Sequence, residues 1–198
     1  MLLAAARERF GADGYVNTNL DDVAEQAGVT KPVLYRHFDS KQQLYAQLIL
    51  EQAERMQLET RRALSAAPAE SDRALVVLDA TFAYLEHEPF AWRLLLPEQL
   101  DGFGADARRA VADAEALAGR QAMVLLRTFA PADEASGALE PTSELDQLWA
   151  ATSIGIQSQL ARWWHEHPDF DRAWVVDRAR SVLSATAAAV FAGSATRQ

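Results

Sequence analysis

The chain has 198 residues, close to half of them hydrophobic, which is enough to bury a core and too apolar for global disorder. Its net charge is −9 and it holds no cysteine, so disulfides, thiol catalysis and cysteine zinc sites are excluded. Nucleic acid can then be bound only through a local arrangement of cations. No apolar run approaches the ~20 residues of a membrane span, and the N-terminus lacks a basic region followed by a small-residue cleavage site. A soluble cytoplasmic protein without a membrane partner is expected.

Hydrophobic spacing is helical throughout, with no alternating strand pattern beyond a few residues and no internal repeat. Leu2, Leu3, Ala6 and Phe10 mark a first helix that Gly11 and Gly14 are expected to end. The next runs from Thr18 to Ala27, with Thr18 as its cap and Asp21 as the partner in a capping box, and Gly28 breaks it. Thr30 caps a short helix reaching about Phe38. Ser40, with Gln43 in the box position, starts a longer one whose apolar side carries Leu44, Leu48, Met56 and Leu64. Residues 66–71 read as a loop and 72–87 as a helix. Pro89 resets the chain before a short helix to Leu100 and a DGFG turn. A long helix is expected over 105–129, and residues 130–143 carry the least order. Helices over 144–166 and 171–192 close the chain, with HPDFD between them. The fold class is all-α, about nine helices: a compact trio, then a larger bundle. The expected domains are 1–46 and 47–198.

The first trio holds the sharpest signal. Val23, Ala27, Val29, Leu34 and Phe38 are apolar within a mostly polar stretch, Ala24 is small where a second helix must cross, and Gly28 sits at the break. Two helices joined by a tight glycine turn make a helix-turn-helix. With Leu34 and Phe38 turned to the core, Pro32 and Arg36 lie opposite, flanked by Val33 and Tyr35, with Thr30 and Lys31 at the tip. Arg36 can fork onto a guanine edge. Thr18, Tyr35, His37 and Lys41 suit phosphate oxygens. The two lysines of the chain, Lys31 and Lys41, both fall here. The competing reading is a short amphipathic helix with a solvated basic face.

The run FGADGYVNTNLDDVAEQAGVTKPVLYRHFDSKQQLYAQL resembles, over its whole length, the signature of the TetR family of bacterial transcriptional regulators. The likeness lies in the Gly-Tyr before the second helix, the Thr at its start, Ala-x-x-x-Gly-Val, and Leu-Tyr-x-His-Phe-x-x-Lys; it covers residues 2–48. The resemblance implies that Thr18, Thr30, Lys31, Tyr35, His37 and Lys41 meet phosphate or the groove, and that Pro32, Val33 and Arg36 vary with the operator. It implies a ligand-responsive repressor, homodimeric on a palindromic double-stranded operator and released by a small-molecule effector. Two features depart from the family: the first helix starts almost at Met1, with no basic arm ahead of it, and residues 1–46 are slightly acidic.

The rest of the chain resembles the family's ligand-binding and dimerisation domain in layout. On the last helix Val175, Ala179, Val182, Thr186 and Val190 form a stripe read as the dimer seam; the alternative is packing inside its own subunit. An apolar or amphipathic ligand is placed among Phe82, Trp92, Phe103, Gln121, Phe129, Trp149 and Thr152, although aromatics at helical spacing are more often core. A binding dimer with no inducer is a further alternative. No cofactor and no metal are expected, since His165 and His167 are two apart on a helix and point away from each other. No phosphate loop, nucleophile elbow or paired carboxylates support an enzyme.

Overall fold

The computed structural model describes residues 1–88, 91, 104–129, 141 and 143–195, with side chains in the last helix described to residue 189. Among them are eight helices and no strand. These are α1 (Leu2–Asn17), α2 (Leu20–Gln26), α3 (Lys31–His37), α4 (Lys41–Ala66), α5 (Arg73–His87), α6 (Ala105–Phe129), α7 (Glu144–Glu166) and α8 (Arg172–Ala195). The short helix expected to reach Leu100 falls outside the described residues.

Local chemistry explains the boundaries. α1 does not stop at Gly14: that glycine, at φ +75°, breaks the helical geometry and one further turn reaches Asn17. α2 starts two residues later than expected, because Asn19 caps it by accepting from the Asp21 N–H. Ser40 accepts from the Gln43 N–H, and the Gln43 side chain accepts in return from the Asp39 N–H. Asp72 accepts the N–H groups of Ala74 and Leu75 at the start of α5. Ser143 and Asp146 form a reciprocal capping box on α7.

The packing groups the chain into two compact units. One joins Met1–Arg55 with Glu88–Glu115; the other joins Met56–His87 with Ala116–Gln198. In the first, Ala6, Phe10, Val23, Leu34, Leu44, Leu48 and Ile49 are buried, and Phe10, Tyr15 and Tyr45 form an aromatic trio. Burial pushes the Tyr45 phenol well above its ordinary range, with Tyr15 adding to the shift. Glu88 takes Arg7 of α1 at 3.3 Å and Arg55 of α4 at 2.8 Å, which ties residues after α5 to this unit. In the second, α8 packs on α5 and on α7 around Leu78, Phe82, Met123, Leu126, Trp149, Val175 and Leu183. Arg172 bridges to Asp79 and Glu86, and Arg180 to Asp72.

Candidate nucleic-acid interface and helical core

The turn between α2 and α3 is closed by hydrogen bonds from Val29 N–H to Ala24 carbonyl and from Gly28 N–H to Glu25 carbonyl, both 3.0 Å. That pattern needs a left-handed residue at the turn, and Gly28 supplies φ +68°. Leu34, fully buried, and Phe38, nearly so, then anchor α3. Its other sides are open: Thr30, Lys31, Pro32, Tyr35, Arg36 and His37 are exposed, and Val33 is half-buried. Pro32 lies in the first turn, where its missing N–H costs no helical bond. Thr30 makes no capping bond with its side chain.

Of the nine expected contact residues, Thr18 turns inward and Lys41 is half-buried and bonded back to α1. Thr18 is 3% exposed, and its hydroxyl donates to the Gly14 carbonyl at 2.7 Å. It joins the end of α1 to the start of α2 and does not offer its hydroxyl to phosphate. Asn19, not singled out in the sequence, is the exposed polar residue there; adjacent Thr and Asn are both good caps, so pattern alone does not rank them. Lys41 lies with its ammonium 4.9 Å from the centre of the Tyr15 ring and donates to the Val16 carbonyl at 3.0 Å. Its burial pulls the pKa down. Lys41 therefore closes the C-terminal end of α1, as a cation at a helix C-terminus does.

Lys31 is exposed but paired. Its Nζ lies 2.7 Å and 2.9 Å from the two carboxylate oxygens of Asp21. The hydrogen bond and charge of Asp21 push its pKa up. Arg9, which the motif did not flag, fastens α1 to α2 through Gln26 at 2.8 Å and pairs with Asp13. Arg36 has no ion-pair partner among the described residues, so the cation opposite the anchoring side of α3 is uncommitted.

In the second unit the expected pocket residues separate. Phe82 and Trp149 are fully buried core, and the Trp149 indole N–H donates to the Ala122 carbonyl at 2.8 Å. Phe129 and Thr152 are half-buried. Trp92 and Phe103 lie outside the described residues. Gln121 donates through Nε2 to Thr81 at 2.8 Å and to Thr60 at 3.4 Å, while its Oε1 is buried with no hydrogen-bond partner among the described residues. An acceptor left so costs about 1–3 kcal/mol.

The expected seam also separates. Val175 and Ala179 are fully buried in the chain's own core, because α8 turns that side onto α5 and α7. They are not available to a second subunit. Val182 is 49% exposed and Thr186 half-buried; the Val190 side chain lies outside the described ones. The open side of α8 carries Trp174, Val182, Ala185, Ala188 and Ala189, and that of α7 carries Leu148, Ala151 and Gly155. His167 is stacked on Trp163 at 4.4 Å. Among the described residues no group of three or more His, Asp or Glu is gathered to hold a metal ion, and no helix is long and apolar enough to cross a membrane.

Comparison with known proteins points the same way as the turn geometry. The family model for bacterial regulatory proteins, tetR family, matches residues 2–48. The transcriptional activator FasR of Mycolicibacterium smegmatis is 36% identical over 94 residues, 48% of this chain and 43% of that protein. IcaR of Staphylococcus aureus strain Newman, a negative transcriptional regulator of a biofilm operon, is 45% identical over 40 residues, 20% of this chain and 22% of that protein. The matches thus span less than half of these curated relatives. A chain from Pseudomonas aeruginosa PAO1, assigned as a transcriptional regulator, shares the fold with a TM-score of 0.74 at 19% identity, covering 94% of this chain and 88% of that one.

Proposed function

We propose that this chain is a TetR-family bacterial transcriptional regulator, a cytoplasmic homodimeric repressor released from a palindromic operator by an apolar or amphipathic small molecule. It is a DNA-binding regulator and not an enzyme. The observation that carries the proposal is the open surface of α3 away from its one anchored side, with Thr30, Lys31, Pro32, Tyr35, Arg36 and His37 exposed and Leu34 buried. The tip of α3, Thr30 to Val33, enters the major groove, and Arg36 reads a base edge. Lys31, Tyr35 and His37 meet phosphate. Thr18 and Lys41 hold α1 against the motif and set its angle.

A dimer is supported by the exposed Leu148 and Val182 beside small residues on α7 and α8. Two identical subunits present two copies of α3, which matches a two-fold operator. The ligand reading rests on the second unit, where Gln121 leaves a polar atom unsatisfied beneath α4, α5 and α6. The curated relatives carry both signs of regulation in their names, activator and negative regulator. Repression is the simpler outcome, because a dimer seated over a promoter blocks polymerase without a further contact.

The experiment is a footprint and anisotropy titration on the DNA upstream of the protein's own gene, followed by a thermal-shift screen of small molecules. Hits should release the protein from the DNA. Thr152→Trp should abolish release while the dimer survives. Absence of binding to that DNA at low salt would overturn autoregulation through this operator, and protection without two-fold symmetry would overturn the palindrome.

A further inference from the structure

We infer that Gln121 anchors a neutral ligand that carries a hydrogen-bond donor, such as an alcohol or primary amide on an apolar body; the inference rests on the ligand reading above. Gln121 on α6 faces Thr60 of α4 and Thr81 of α5. Each threonine hydroxyl has one proton, and both are committed: Thr60 donates to the Met56 carbonyl at 3.0 Å and Thr81 to the Val77 carbonyl at 2.8 Å. Their oxygens can then only accept. The end of the Gln121 amide that faces them must be the NH2, so its orientation is fixed by chemistry. Both threonines are more than nine-tenths buried, which excludes solvent as the reason for this arrangement.

Oε1 is left on the far side of the amide, buried and unpaired among the described residues. A lone acceptor selects for an O–H or N–H. A carboxylate presents only lone pairs and is repelled, and an ether or hydrocarbon leaves Oε1 as it is. The same helices bury Val77, Leu78, Phe82, Ala122, Met123 and Leu125, which suits an apolar body. Two threonines and a glutamine on three helices are a costly way to fill an apolar core. The cost is offset when a bound donor completes the set.

The test uses three probes of similar length on the full chain: 1-decanol, its isomer methyl nonyl ether, and decanoate at neutral pH. Affinities come from calorimetry and from displacement of operator DNA. The alcohol should bind about 3- to 10-fold more tightly than the ether, with decanoate weakest. Gln121→Met should erase the gap between alcohol and ether; if that variant does not fold, the comparison on the native protein still decides. Saturable binding with ether equal to alcohol, or with decanoate strongest, overturns the role of Gln121 and leaves the ligand reading standing; Oε1 then takes its bond from water. Failure of all three probes to bind overturns both.

Discussion

Replacing Asp21 by Asn tests the proposed DNA contact of Lys31 in this acidic chain. Lys31 is the lysine best placed for phosphate, yet both oxygens of Asp21 hold its ammonium at 2.7 Å and 2.9 Å. Binding one phosphate through Lys31 releases a counterion from DNA, but it also strips Asp21 of its partner, and the carboxylate then recruits a cation from solution. The net salt dependence of that contact is near zero. In Asp21→Asn no cation is taken up, so each half-site releases one more counterion. The slope of log affinity against log salt steepens by about 0.9 per contact, or ~1.8 for a dimer. Between about 50 and 200 mM salt the affinity gain of the variant should shrink by roughly 12-fold. Phosphates carry no sequence information, so operator and scrambled duplexes should shift alike. The N-cap of α2 survives, because Asn19 accepts from the backbone of residue 21 and not from its side chain. Fluorescence anisotropy over a salt series measures the slope. Parallel slopes for wild type and Asp21→Asn would show that Lys31 meets no phosphate. A Lys31→Ala and Asp21→Asn double-mutant cycle separates the pair from each residue's own effect.

Arg36→Ala should cost operator affinity about tenfold or more while scrambled DNA is held almost as before, since a forked guanine contact discriminates by about 1–3 kcal/mol; equal losses on both duplexes would make Arg36 a phosphate contact. Gly28→Ala should lower stability by about 1–2 kcal/mol through its φ of +68° alone, because a Cβ there meets nothing within 4 Å; chemical denaturation reads this, and no change would mean that the turn relaxes. Val182→Glu should give monomer in sedimentation, whereas Val175→Ala should remain a dimer and lose about 2 kcal/mol of stability; the reverse outcome would place the seam on the buried side of α8. Burial pushes the Asp72 carboxyl up, but the N–H groups of Leu75 and Ala74 and the Arg180 guanidinium outweigh it and hold the pKa below its ordinary 3.8. Its stabilisation is therefore present above that pH and lost as pH falls through the lower folded value. Asp72→Ala should cost about 1 kcal/mol at neutral pH, and the gap to wild type should close in strong acid; a gap that persists there would assign the effect to packing.

The helix-turn-helix was legible because each of its parts is set within a few residues. Gly28 is required by a left-handed turn, and Leu34 and Phe38 by one turn of helix. Ser40 and Gln43 are three apart and close on each other through neighbouring backbone. The long helices at 105–129 and 144–166 were legible for the same reason: their periodicity and punctuation are strong. Lys31 and Lys41 show where this fails. Both are cations beside a basic helix, and composition treats them alike. What separates them is that Asp21, ten residues before Lys31, and Val16, twenty-five before Lys41, come within hydrogen-bond reach in the fold. Gln121 was visible as a polar residue on an apolar helix. That it has one end tied and one end unpaired depends on Thr60 and Thr81, which reach it from two other helices.

The last helix separates two kinds of apolar pattern. The stripe through Val175 and Ala179 is apolar because α8 lies on α5 and α7, and it says nothing about a second subunit. The opposite side is informative because of what it lacks. Between Trp174 and Ser181 the exposed positions of α8, Asp177 and Arg178, are charged, as on a solvated helix. From Ser181 to Ala195 there is no charged residue, although Val182, Ala185, Ala188 and Ala189 are exposed in the single chain. Small uncharged side chains facing water gain little for a monomer and leave a helix prone to association. Against a second copy of the same surface they allow the backbones to approach closely, and the exposed Leu148 of α7, with Gly155 open beside no side chain, supplies apolar contact area and room. The feature that supports the homodimer is thus the end of charge at Arg180, and Val182 is the residue of the original stripe that lies on the open side.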